Sequence, residues 1–309
     1  MQRITNQMQM NDLIYTLNER MRNLNDLQNQ ISTGKRVYYA SDDPAAAGMI
    51  LRLRNSLNQN EQYQENLQDG KSWMINTEES LQSMYEMLTE ARADAVEGSN
   101  EAITPEGMAM LAEEINGYLE NFYSLSNSDY GGKTIFGGTN TTETAFNAIR
   151  DPITGNITSV TSNANGIDGS IMRQIDTGEQ IQININGAEL FQPNGVSGDE
   201  DIFQTLINLR DALNGGDIQT VGDIIPQIDD IMANVSDMTT LIGSRVTRLN
   251  NLEMSLLAEK TTLTGQLSQQ EDTDLVEAIT NMTLEQNAYQ VALNVGGMII
   301  QPSLAQFIG

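Results

Sequence analysis

Two runs of apolar residues at seven-residue spacing, one towards each end of the chain, constrain this sequence more than any other feature. Near the start, Met10, Leu17, Leu24 and Ile31 stand seven apart, Leu13 and Leu27 are offset by three, and Arg20 breaks the second row. Near the end, Leu275, Met282 and Tyr289 repeat at seven, with Ile279 and Leu293 offset by four. A repeat of seven falls just short of two helical turns, so the stripe keeps facing a neighbour only if the helices supercoil. Two longer runs lie inside these. Leu53, Leu67, Met74, Leu81, Leu88 and Ala95 share one frame with Asn60 as its polar gap, and Ile228, Val235, Ile242, Leu249, Leu256 and Leu263 fill another. At about 1.5 Å of rise per residue, helices of this length predict a rod.

The breaks between these runs organise the chain. Gly34 ends the first helix, and Ser41-Asp42-Asp43-Pro44 restarts the chain with acidic residues and a proline at the first helical position. Glu271-Asp272-Thr273-Asp274 repeats that pattern at the other end, and Asp274 with Glu277 reads as a capping box. Asp42, Asp43, Asp272 and Asp274 are therefore expected to cap helices at the two breaks. A further helix is expected from Thr104, an N-cap followed by Pro105, with Leu111, Ile115, Leu119 and Phe122 on one face. From 131 to 198 the composition changes. Gly131-Gly132, Gly137-Gly138, Gly155-Asn156, Asn165-Gly166 and Asn186-Gly187 are turn signals. Gln180 to Asn186 alternates around Ile181, Ile183 and Ile185 as a strand would, and Ala188 to Phe191 follows the turn as the partner segment. A short helix from Asp201 to Leu213 leads back. The expected fold is mainly α: a long coiled-coil-like helical bundle formed by both chain ends, with a small β-rich insert domain. Its parts are terminal helical arms at 1–40 and 271–309, a helical rod domain at 41–130 and 199–270, and the insert at 131–198.

Composition narrows the function. The 42 acidic and 16 basic residues give a net charge of −26, which makes nucleic acid and membrane surfaces poor partners. There is no cysteine and no histidine, so disulfides, thiol nucleophiles, imidazole bases and ordinary zinc sites are excluded together. Met1 to Asn11 lack the apolar core of a cleaved signal peptide, and no apolar stretch approaches the roughly 20 residues that span a bilayer. The carboxylate pairs at Asp42-Asp43 and at Glu271 to Asp274 could serve acid–base or metal chemistry, but each stands where a helix begins and is expected to cap it. No phosphate-binding glycine loop or nucleophile elbow is present. Lys35-Arg36 is too small for a nucleic-acid patch and is expected to complement the helix end before Gly34. The expectation is a non-enzymatic protein without cofactor or metal, built for helix-to-helix association.

The segment Gln30-Ile31-Ser32-Thr33-Gly34-Lys35-Arg36-Val37, followed by Ser41-Asp42-Asp43-Pro44-Ala45-Ala46-Ala47, resembles the N-terminal signature of the bacterial flagellin and hook-associated protein family. Leu267-Ser268, Glu271 to Asp274, Glu277-Ala278, Gln286, Tyr289 to Leu293 and Ser303-Leu304 resemble its C-terminal signature. Filament flagellins typically carry Ser-Ser-Gly and Asp-Asp-Ala where this chain has Ser32-Thr33-Gly34 and Asp43-Pro44. Ala40 and the ending Phe307-Ile308-Gly309 also depart from the usual pattern. The resemblance implies an inner layer of helices from both chain ends, an outer helical rod and a β-rich domain facing outward. It also implies a secreted protein of the extracellular flagellum, exported by a type III route without a cleaved signal peptide, with the export apparatus and a cytoplasmic chaperone as partners. Its place would be a ring of copies at the hook–filament junction, between hook-associated protein 1 and flagellin. Leu17, Leu24, Ile31, Leu275, Ile279, Tyr289 and Leu293 would form the assembly interface. Three other readings stay open: a filament flagellin, an adhesin using the β insert, and a cell-wall hydrolase built on Asp42, Asp43 or Glu271.

Overall fold

The structure, a computed structural model, describes residues 6–163, 166–193 and 201–308. Its contacts divide it into two compact units, one holding the residues up to 60 together with those from 258 onward, the other holding 61–257. Two long helices, α2 (Pro44–Gly98) and α6 (Ile218–Glu271), contribute to both.

The first unit is built around α1 (Asn6–Thr33) and α7 (Leu275–Ile308). The two run antiparallel, as the contacts Arg20–Glu285 and Leu13–Gly296 require. Arg20, the residue that breaks the α1 stripe, places its Nη1 2.6 Å from Glu285 Oε2, so a charge pair replaces one apolar layer. Gly296 is buried, and a Cβ there would stand 2.6 Å from Leu13 Cδ2. A larger residue at that position would have to displace the Leu13 side chain, which packs directly on the α7 backbone there. A small cluster of Val37, Ala46 and Ile50, with Ala47 and Leu267 against it, completes this unit.

In the second unit α2 and α6 also run antiparallel, tied by Lys71–Glu253 at 3.0 Å and Arg92–Asp229 at 2.5 Å. Leu67, Met74, Leu81, Leu88 and Ala95 of one and Ile228, Val235, Ile242, Leu249 and Leu256 of the other are buried in one core, as their seven-residue frames require. α3 (Pro105–Ser126) begins where expected, with the Thr104 hydroxyl accepting from Gly107 N, and packs on α5 (Ile202–Gly215). Asp201 caps α5 by accepting from Gln204 N, and Gly216 closes it at φ 71°.

Among the described residues the β structure consists of three separate two-stranded antiparallel pairs: β1 (Asp129–Tyr130) with β2 (Lys133–Thr134), β3 (Phe146–Arg150) with β4 (Ile157–Ser162), and β5 (Met172–Asp176) with β6 (Glu179–Gln182). Gly131 and Gly132 make the first turn with φ of 60° and 76°, the two left-handed positions that a tight hairpin demands. One expectation fails here. The strand ends at Gln182, and the segment after the turn forms a short helix, α4 (Gly187–Phe191). The reason is local: the Asn186 side chain accepts from Ala188 N and caps a helical turn, which removes the residue from a hairpin. Phe136, Phe146 and Phe203 of α5 pack around Phe191, with ring centroids 4.9 to 5.5 Å apart, so the β segment shares the core of the helices. The turn signal at Asn165 and the end of the 131–198 segment from 194 on lie outside the described residues.

Candidate assembly surface

The two breaks anticipated in the sequence meet in the first unit and form a clasp. Gly34, at φ 69°, turns the chain out of α1. The next residues pair with the residues that close α6: Arg36 N donates to Glu271 O at 2.7 Å, and Thr273 N donates to Gly34 O at 3.0 Å. Side chains reinforce this exchange. Glu271, only 3% exposed, receives Lys35 Nζ at 3.0 Å and Arg54 Nη2 at 2.8 Å on the same oxygen. Lys35 also reaches Asp272 at 2.6 Å, and Arg36 reaches Gln270 O at 2.8 Å and Asp43 at 3.3 Å. A buried carboxylate persists only where such partners replace its water. The hydrogen bonds to Asp272 and Glu271 hold the Lys35 ammonium above its ordinary pKa, and Lys35 with the Ser268 hydroxyl holds Asp272 below its own.

The four expected capping residues divide. Asp43 accepts from Ala46 N at 3.0 Å and starts α2; that backbone donor, and then Arg36, lowers its pKa. Asp274 accepts from Val276 N and Glu277 N and starts α7. Asp42 faces the other way, accepting from Tyr38 N and Tyr39 N at 3.1 and 2.7 Å, so it shapes the connecting loop and touches no helix start. Asp272 pairs with Lys35 and Ser268. Lys35 and Arg36, expected to complement the end of α1, reach across to α6 and α2 instead. Arg54 is the member of this clasp that sequence reasoning did not assign, and Glu271, expected to cap a helix start, instead closes α6 and receives Lys35 and Arg54. A charged contact between residues more than two hundred positions apart leaves no periodic trace.

The seven candidate interface residues also divide. Leu17, Leu24, Ile31 and Tyr289 are half-buried on the faces that α1 and α7 turn to each other. Leu275, Ile279 and Leu293 are exposed on the flank of α7, Leu293 by 44%. Beyond them, Val276, Leu284, Val291, Val295 and Met298 are exposed on the face of α7 directed away from α1, and Met8, Ile14, Tyr15 and Met21 are exposed on α1. α7 is thus apolar around most of its circumference, a pattern that belongs to buried helices. Yet one helix covers only one of its faces. Even the inner seam is only half-covered, so the arm pair presents more apolar surface than it closes.

Among the described residues no group of three or more acidic side chains could hold a metal ion, and no helix is long and apolar enough to cross a membrane.

Comparison with known proteins fits this arrangement. The family model for the bacterial flagellin N-terminal helical region matches residues 4–141. The flagellar hook-associated protein 3 of Escherichia coli K12 is 26% identical over 275 residues, covering 85% of this chain and 86% of that protein. The flagellin of Bacillus subtilis 168 is 23% identical over 267 residues, covering 82% of each. Among solved structures, a flagellar hook-associated protein of Vibrio parahaemolyticus superposes with a TM-score of 0.65 at 23% identity, covering 75% of this chain and all of that one, and so shares its fold.

Proposed function

We propose that the chain is a member of the bacterial flagellin and hook-associated protein family and a structural subunit of the flagellum at the hook–filament junction, in the place of hook-associated protein 3. In this reading a ring of copies seats on hook-associated protein 1 and receives the first flagellin subunits, so that a filament can grow. The chain reaches that position through the flagellar export apparatus, escorted by a cytoplasmic chaperone, without cleavage of a signal peptide.

The observation that carries the reading is the apolar circumference of α7. A helix with one face against α1 and large apolar side chains exposed on the other is built to be covered by further protein. Covering a fully exposed Leu, Val or Met side chain contributes about 1.5–3 kcal/mol, so a few per copy suffice to drive assembly. The acidic residues favour the same conclusion over a hydrolase. Asp43 and Asp274 hold backbone N–H groups, while Glu271 and Asp272 are engaged by Lys35, Arg54 and Ser268, which suits a structural clasp and leaves no pair poised on a substrate.

Electron microscopy of a strain lacking the gene tests the proposal. Hooks should be present without filaments, flagellin should collect in the medium, and expression of the chain should restore filaments. Filaments of ordinary length on the deletion strain would overturn it. The flagellin reading makes a different demand: the purified chain added to filament seeds should then extend them into long filaments rather than stop at a cap.

A further inference from the structure

The last turns of α2 carry small side chains on the face that joins the core. Ala91, Ala95 and Gly98 follow one another by four and three residues, Ala91 and Ala95 are fully buried, and Ala112 of α3 lies in the same core. A Cβ on Gly98 would stand 3.6 Å from Leu111 Cδ1 of α3. Side chains of this size let two helices approach closely, and a polar residue beside them loses its water. Asp94 is that residue. Its Oδ2 is buried and has no hydrogen-bond partner among the described residues. The charges around it are of one sign: Glu114 of α3, and Glu90 and Glu97 of α2 itself. Tyr118 of α3 donates its hydroxyl to Glu114 Oε1 at 3.1 Å. Burial, then that bond and the charge of Asp94, push the phenol up, so it remains a donor to Glu114. The cations of the neighbouring elements are engaged elsewhere: Arg92 of α2 by Asp229 of α6, Arg150 of β3 by Glu120, and Arg210 of α5 by Asp211. A carboxylate deprived of water and of donors is costly, whereas a carboxylic acid in the same place brings its own O–H donor.

We propose that Asp94 is a proton-operated latch between α2 and α3. Protonated, it donates to the Glu114 carboxylate and holds the start of α3 against the end of α2. Ionised, it sets carboxylate against carboxylate and lets that corner open. The proton comes from solvent and returns to it, so nothing else is consumed. The latch lies wholly within the second unit and does not rest on the assembly reading. Burial first, and then Glu114, Glu90 and Glu97, raise the Asp94 pKa from 3.8 to about 6. With the folded value raised, the latch is fully engaged below about pH 4 and is lost as pH rises through about 6. The turn at 99–104 between the two helices would therefore be looser in neutral than in mildly acid solution, without any change in the frames that bury Ile228 to Leu249.

Amide exchange on the purified full-length chain tests the latch. It is read over 105–118 of α3 as protection factors, which remove the intrinsic pH dependence of exchange. From pH 7.5 to pH 5 protection there should rise about three- to tenfold. The upper figure is the full linkage between an ordinary carboxyl and one held at about 6, and the lower allows for solvent screening. Protection over 228–249 of α6 should stay level. Asp94→Asn, whose amide can donate at either pH, should show the high protection throughout. Glu114→Gln keeps the shape and removes the charge, and should shrink the response. Glu79→Gln, an exposed acidic position earlier on α2, should leave it as in the wild type. Protection of α3 that ignores pH, or an Asp94→Asn variant that responds like the wild type, would overturn the latch. An equal rise in α6 would make the response a property of the whole unit and overturn it as a local device. An unchanged response in Glu114→Gln, or its loss in Glu79→Gln, would overturn the pairing of Asp94 with Glu114.

Discussion

Replacing Leu293 by aspartate should abolish assembly while leaving the isolated chain folded. Leu293 is 44% exposed on the flank of α7, so an aspartate there stays hydrated in the monomer. The expected loss of stability is below about 0.5 kcal/mol, the size of an ordinary surface substitution, and thermal melting should shift by no more than about 2 °C. In the assembled protein the remaining surface of this leucine, roughly 80 Å², would be covered, a contribution of about 2 kcal/mol at ~25 cal/mol/Å². Bringing a carboxylate into that contact costs several kcal/mol more unless a cation meets it. A combined penalty above about 4 kcal/mol corresponds to roughly a thousandfold loss of affinity per contact. Leu24→Asp supplies the contrast. Leu24 is half-buried on the seam between α1 and α7, so a charge there should loosen the arms within the monomer. Circular dichroism melting, the amount of protein secreted and antibody labelling at hook tips separate the two. Leu293→Asp should be secreted at wild-type level, melt like the wild type and be missing from hook tips. Wild-type incorporation of Leu293→Asp, or a melting loss equal to that of Leu24→Asp, would refute the division into a covered seam and an open flank.

Asp94 is held at a pKa of about 6, chiefly by burial and then by the charges of Glu114, Glu90 and Glu97, above its ordinary 3.8. Its contribution to stability is therefore fully present below about pH 4 and lost as pH rises through about 6; Asp94→Asn should raise melting at pH 7 by on the order of 1 kcal/mol after solvent screening, and flatten the pH 4–7 profile. A variant as pH-sensitive as the wild type would contradict that assignment. Glu271→Ala removes the shared partner of Lys35 and Arg54, and amide exchange in the loop after Gly34 should accelerate by about five- to tenfold while exchange in α3 stays unchanged. Gly138 sits at φ 59°, and a Cβ there would collide with the carbonyl oxygens of Ile167 and Asp168. Gly138→Ala should accordingly cost about 2 kcal/mol or more in chemical denaturation of the second unit, and a neutral result would mean that the turn relaxes freely.

What could be read from the sequence was whatever a repeat encodes. The long frames through Leu67 to Ala95 and Ile228 to Leu256 are buried because periodicity and burial are the same fact on a helix. Thr104 and Asp201 begin helices because a side-chain acceptor beside free N–H groups acts within three residues. Two things were not encoded that way. Asn186-Gly187 suits a hairpin and a helix cap equally, and the apolar run of Leu190 and Phe191 fits either, so only the packing of Phe191 among Phe136, Phe146 and Phe203 decides. The clasp joins Lys35 and Arg54 to Glu271, and a carboxylate beside a helix end reads as a cap until the opposite end of the chain is placed against it. α7 posed a third difficulty: with apolar residues on every side, its repeat names several stripes and does not say which one meets α1.

The pairing of α1 with α7 also sets an order of events in the life of each molecule. α1 finds its partner only in a helix made much later in synthesis, and a chain interrupted before Leu275 leaves α1 without α7 to fold against. Loop closure over such a span is unfavourable for an open coil, and it eases once the intervening 61–257 has collapsed into its own core and shortened the path. The arms are thus the last part of the chain to close and the first to open. A subunit that must travel as an extended thread would need to part only its two ends before the longer-lived centre gives way.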